Sequence, residues 1–118
     1  MQTFERGDVV RVPFPYTDRS TRQHRPALVV SAGEVGDATP ALLWVCMITS
    51  AENRPWPYDV ALGAAYANAG LPAPSVIRPA KIATIEARDA EVAGRIAPAL
   101  LARVDLAIAR LLGLALKV

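Results

Sequence analysis

The sequence predicts a mainly β fold: a small, partly closed β-barrel with one C-terminal helix packed on it. Three observations lead there. Short apolar runs, several rich in β-branched residues, recur along most of the chain between clusters of Gly, Pro, Asp and Ser. Only one segment, near the C-terminus, repeats its apolar residues at helical spacing. Finally, 118 residues, 53% hydrophobic and 20% charged, suit one globular domain with one core.

Taken in order, Val9–Phe14 reads as a strand that must end or reach a sheet edge at Pro13 and Pro15, because proline has no N–H for a ladder. Tyr16–His24 reads as a loop, since Thr17, Asp18, Ser20 and Thr21 favour turns by bonding their own backbone. Ala27–Ser31 and Ala41–Ile48 are near-continuous apolar runs, expected as buried strands around a turn with Gly33, Gly36, Asp37 and Pro40. Tyr58–Leu62 is a further short strand. Ala64–Pro74 carries Gly70, Pro72 and Pro74, so one helical turn at most is expected. Ser75–Glu86 reads as strand, kink at Pro79, strand, and Glu91–Ile96 as a weaker strand. Leu101, Val104, Ile108 and Leu111 then form one helical stripe, started by Pro98 and stopped by Gly113, with Arg103 and Arg110 on the wet face.

Composition excludes several function classes. No apolar stretch approaches the ~20 residues of a membrane span. The N-terminal residues lack the basic-then-apolar pattern of a secretion signal. A lone cysteine, Cys46, fits a reducing cytoplasm, and its neighbours Trp44, Val45 and Met47 suit a core thiol rather than a nucleophile. One histidine and one cysteine make no zinc site, and no phosphate-binding, dinucleotide or nucleophile-elbow motif occurs. No pair of acidic residues has the spacing of a two-metal or glycosidase site. Whatever reaction occurs should need no cofactor. The formal charge is +2, divided as −1 over residues 1–59 and +3 over 60–118. No lysine-rich tract of the kind that grips duplex DNA is present, so any nucleic-acid contact is made locally by a few arginines.

The residues that could carry chemistry lie at strand ends. Arg25 precedes Pro26, which biases it toward extended backbone and fixes where its side chain leaves the loop. Its planar fork stays charged and suits a phosphate or a developing phosphorane, although it is a poor base. The plainer reading is a surface arginine bound to Asp18 or a loop carbonyl. Thr49 and Ser50 close the third apolar run. They either cap the following turn, or Thr49 donates to a nonbridging phosphate oxygen. His24, beside Arg25, is a proton donor or acceptor or else incidental. Arg22, Arg78 and Lys81 are candidate phosphate grips. Trp56, between Pro55 and Pro57, offers a stacking surface for a base or packs at the barrel edge.

Six short markers in one order give the chain a resemblance. They are Arg6-Gly7-Asp8-Val9, Arg25-Pro26-Ala27-Leu28-Val29-Val30, Ile48-Thr49-Ser50, Gly70-Leu71-Pro72 with Ser75-Val76-Ile77-Arg78, Ala83-Thr84-Ile85-Glu86, and a C-terminal helix. Together they resemble the MazF/PemK family of bacterial toxin endoribonucleases over nearly the whole chain. The resemblance implies an SH3-like barrel in a twofold homodimer, with single-stranded RNA and a cognate antitoxin competing for grooves near the interface. It implies metal-independent cleavage at a short RNA sequence, leaving a 2′,3′-cyclic phosphate and a 5′-hydroxyl. It assigns Arg25 and Thr49 as catalytic, and Arg78 matches an arginine that some relatives use at the site. Arg22, His24, Ser50, Trp56 and Lys81 are expected toward the substrate from the reading of the residues alone. Some relatives carry an aspartate where this chain has Ala80, so a mechanism using that carboxylate as base is not expected. The Arg22-Gln23-His24 loop replaces a glycine-rich form, so the cleavage motif does not carry over. The alternative is a non-catalytic gyrase poison of the same fold. Its Trp-Gly-Ile-like end is not matched by Leu116-Lys117-Val118.

Overall fold

Among the described residues, six strands form one antiparallel sheet, and a helix covers one of its faces. The computed structural model describes residues 3–13 and 24–115. Its elements are β1 (Asp8–Pro13), β2 (His24–Val29), β3 (Leu42–Ser50), β4 (Val60–Ala61), β5 (Ser75–Glu86), β6 (Glu91–Arg95) and α1 (Pro98–Leu112). The order across the sheet is β4-β5-β3-β2-β1-β6. A 3₁₀ turn at Gly63–Tyr66 supplies the one helical turn expected after β4. The sheet curls into a half-barrel, bringing the segment after that turn against β6.

Both faces of the sheet are buried, which is why β2 and β3 read as continuous apolar runs instead of alternating ones. On one face Val9, Leu28, Cys46, Ile48, Ile77 and Val104 form a core with α1 above it. On the other, Val10, Val12, Ala27, Val29, Leu43, Val45 and Ile85 form a second core closed by Phe4, Ala87 and Ala90. The two sets alternate along each strand, as the two-residue period requires. Among the described residues, no helix is long and apolar enough to cross a membrane.

Three boundaries differ from the sequence expectation. β2 begins at His24, not Ala27, because Val12 and Pro13 of β1 pair with Arg25 and His24 and carry the strand outward. β3 runs on through Thr49 and Ser50, which pair with Val76 and Ser75 of β5. In α1, Leu111 is exposed instead of joining the stripe, whereas Val104, Ala107 and Ala109 are buried. The helix has by then run past the core, just before Gly113 ends it. Phe14, expected as the last residue of the first strand, lies outside the described residues, as does most of the expected loop to His24.

The expected kink at Pro79 takes a definite form. Met47 pairs with Arg78, but the next residue back, Cys46, pairs with Ile82. Pro79, Ala80 and Lys81 are therefore extra residues on β5, a bulge at the one place where a missing N–H costs the ladder nothing.

Closure of the half-barrel depends on two glycines. An added Cβ on Gly94 would lie 2.3 Å from the Ala69 carbonyl oxygen, and one on Gly70 would lie 2.2 Å from that of Ala93. Backbone meets backbone there, and Gly70 is also left-handed at φ +77°. Gly94→Ala should therefore destabilise the fold by about 1–3 kcal/mol, read as a lower urea midpoint. Cys46 gives a second check. Burial, aided by the charge of Asp105, pushes its thiol from 9.0 up to about 12. A disulfide-exchange reagent at pH 8 should leave it untouched in the native protein and titrate it fully in denaturant. Between pH 9 and 12 the unfolded thiol ionises and the folded one does not. This group should thus erode stability as pH rises, at about 1.4 kcal/mol per unit.

Candidate functional site

Strand register brings the chemistry-bearing residues together. β2 and β3 pair at Ala27↔Met47, Leu28↔Cys46 and Val29↔Val45. Continuing that register outward would set Arg25 across from Thr49. The ladder stops short of them at Pro26, which has no N–H to give. On the far side of β3, Met47 faces Arg78. Arg25, Met47, Thr49 and Arg78 therefore share one face of the sheet, opposite α1, where the second core runs out. The bulge adds Lys81. These five residues line a 110 Å³ pocket, with room for several waters or one small anion.

Thr49 is prepared to donate. Its Oγ1 accepts a 2.6 Å hydrogen bond from Asn53 Nδ2, which leaves its own hydroxyl proton for a ligand. Arg78 is nearly buried and anchored. Its Nε donates to Asp59 Oδ2 at 3.4 Å, and its Nη2 donates to the Arg54 carbonyl. Its guanidinium carbon lies 4.7 Å from the centre of the Trp56 ring, with Lys81 Nζ at 5.9 Å from the same ring. Trp56 thus lies on the rim of the pocket as a partner of two of its cations, and it remains exposed.

The other expected residues are placed differently. Ser50 follows Thr49 on the strand and so points to the opposite face. Its Oγ accepts from the Glu52 N–H at 3.2 Å and caps the turn after β3. His24 is exposed, opposite Pro13 on β1, and alternates away from Arg25. Neither lines the pocket. Arg22 lies outside the described residues. Sequence reasoning missed Met47, Asn53 and Asp59. Asn53 follows Thr49 by four residues and carried a local turn signal. Asp59 and Arg78 meet only through the β4–β5 pairing.

Two of the larger hollows among the described residues have different chemistry. A 590 Å³ groove beside α1 is lined mostly by apolar groups, including Trp44, Ile82, Ile108, Leu112 and Leu114, and its one arginine, Arg6, is bound to Asp105. A 350 Å³ hollow around Phe4 and Pro40 holds Arg88, paired with Glu86 at 2.8 Å. The groove sets one hydroxyl, Thr84, beside its single paired arginine, and neither hollow gathers several cations. Among the described residues, no group of three His, Cys, Asp or Glu side chains could hold a metal ion.

Comparison with known proteins places the fold. A search of curated proteins gave no match. MazF from Deinococcus radiodurans, solved with MazE, is 26% identical with a TM-score of 0.76, over 98% of this chain and 100% of that one. MazF of the same organism solved alone is 26% identical with a TM-score of 0.73, over 97% and 100%. A mycobacterial endoribonuclease in complex with its cognate antitoxin shares the fold at 23% identity and a TM-score of 0.72, over 99% and 100%. The family model for PemK-like, MazF-like toxins of type II toxin–antitoxin systems matches residues 5–112, and the chain belongs to that family.

Proposed function

We propose that this chain is a sequence-selective, metal-independent endoribonuclease toxin that cuts single-stranded RNA. The observation that carries the reading is the convergence of Arg25, Thr49, Arg78 and Lys81 on one small pocket. A phosphodiester carries negative charge, and cleavage by the neighbouring ribose adds more as the phosphorus becomes five-coordinate. In this reading the 2′-hydroxyl gives up its proton as its oxygen bonds to phosphorus, the P–O5′ bond breaks and the leaving 5′-oxygen takes up a proton, and the products are a 2′,3′-cyclic phosphate and a 5′-hydroxyl. Preorganised donors aimed at that charge supply much of such catalysis.

Arg25 takes the central role, stabilising the phosphorane with its fork of donors. Thr49, held by Asn53, donates to a nonbridging oxygen and orients the phosphate. Lys81 and Arg78 strengthen the positive field, with Arg78 also fixing the Trp56 turn. Trp56 presents a ring to a neighbouring base. His24 and Ser50, one residue from the catalytic pair on exposed strand ends, reach adjacent nucleotides, and Arg22 serves the same strand. Family membership extends the proposal to a cytoplasmic homodimer restrained by a cognate antitoxin, the kind of complex in which the Deinococcus relative was solved.

Primer extension on a long RNA in EDTA should reveal cuts at a recurrent short sequence with cyclic-phosphate ends. Arg25→Ala and Thr49→Ala should each slow cleavage by about 10²–10³, with melting temperatures close to wild type because neither side chain is in a core. Full-rate cleavage by both variants would remove this mechanism. Supercoiling inhibition without RNA cleavage would point to the gyrase-poison alternative.

A further inference from the structure

The turn that carries Trp56 holds a second aromatic residue in a conformation its side chain disfavours. Trp56-Pro57-Tyr58-Asp59 is closed by the Asp59 N–H donating to the Trp56 carbonyl at 3.3 Å. Asp59 Oδ2 also accepts from the Trp56 N–H at 2.9 Å. Proline second and a left-handed third residue is the pattern of a type II turn, where glycine or asparagine is the unstrained choice. Here the third residue is Tyr58, at φ +67°, and no other described non-glycine residue has positive φ.

Burial does not explain it. The Tyr58 side chain is 45% exposed and belongs to neither core. No hydrogen bond ties its hydroxyl to another described residue. What holds the strained backbone is the rest of the turn: Asp59 is bound to Arg78, and Arg78 lies against the Trp56 ring. Backbone strain maintained by its surroundings, around a ring that belongs to neither core, marks a residue suited to contact with something else.

We propose that Tyr58 is a nucleobase-contacting residue that helps set which RNA sequence is cut, its ring stacking on an unpaired base next to the scissile phosphate. This rests on the endoribonuclease reading above. Location favours a base over a protein side chain. The turn is fastened to the pocket through Arg78, so a phosphate bound by Arg25 and Thr49 brings its neighbouring bases to the same rim. The Trp56 ring meets two cations of the pocket, Tyr58 stands two residues along the same turn, and aromatic residues beside a cationic pocket are what single-stranded nucleic acid requires, since every base has a stackable face. A duplex would offer no free face, so the contact also selects unpaired RNA.

The test uses the full chain and a short RNA containing the mapped cut site, made uncleavable by a 2′-deoxy sugar at the cut. Tyr58→Gly and Tyr58→Asn relieve the strain, so both should melt at or above the wild-type temperature. Both should nevertheless bind the RNA roughly ten- to a hundred-fold more weakly, and raise KM on the cleavable RNA more than they lower kcat. Tyr58→Phe keeps the ring and should restore affinity. Abasic replacement of one particular base should weaken wild type but not Tyr58→Gly. Wild-type affinity in Tyr58→Gly, or a loss matched by a lower melting temperature in both strain-relieving variants, would overturn the proposal. So would weaker capture of a protein partner with RNA affinity unchanged. Wild-type cleavage that Arg25→Ala abolishes secures the underlying reading first, so a normal Tyr58→Gly then sinks only the base contact. A wild-type protein that neither binds nor cuts RNA sinks both.

Discussion

Everything at the site follows from how β5 pairs with β3. On one side of the Cys46–Met47 step the register runs through Ile82, and on the other through Arg78, with Pro79, Ala80 and Lys81 looped out between. A one-residue slip in a sheet sends every side chain to the opposite face. Here the displacement is three residues, so it both inverts the facing of the strand and releases a lysine from it. Without the bulge, a strand that keeps Ala83 and Ile85 in the second core would send Arg78 to the α1 face. With it, those two residues stay in that core while Arg78 turns to Thr49's side of the sheet. The bulge reconciles a continuous core with a polar pocket.

The same constraint assigns the two faces different work. The α1 face is closed by the helix and by the N-terminal residues that bind it. Arg6 donates to the Val30 carbonyl at 2.6 Å and pairs with Asp105 of α1, while Asp8 receives Arg95 of β6 at 2.7 Å. Arg6-Gly7-Asp8 thus joins the first strand to the last strand and to the helix. Its polar residues are structural, whatever their surface chemistry suggests. On the opposite face, among the described residues, nothing equivalent covers the ends of β2, β3 and β5, where the pocket lies.

Much of this could be read from the sequence because it is local. Pro79 announced a kink, Pro98 and Gly113 bounded the helix, and the apolar runs marked strands buried on both faces. Arg25 and Thr49 could be paired in advance because each stands at the end of such a run. What escaped was set by partners far away in the chain. The extension of β2 to His24 depends on β1, and the separation of Thr49 from Ser50 depends on both lying within a strand rather than in a turn. The Asp59–Arg78 bond spans nineteen positions. The left-handed backbone of Tyr58 had no sequence signal, since Pro57-Tyr58 lacks the glycine that usually marks such a turn.

Arg78 shows why the loop and the pocket form one unit. A guanidinium has five N–H groups. One serves the Asp59 carboxylate and another the Arg54 carbonyl, both in the loop before β4, while the cation lies on Trp56. Its charge is therefore shared with its neighbours, and it is less available to an anion than its place in the pocket lining suggests. Arg25 stands exposed at the end of β2, where the ladder to β3 has stopped. In the proposed reaction Arg25 is assigned the developing charge, and Arg78 the holding of the surface against which the nucleic acid would lie. A lysine at position 78 would keep the charge but lose the planar fork that reaches carboxylate, carbonyl and ring together. The geometry of the loop, more than the local potential, is what the arginine secures.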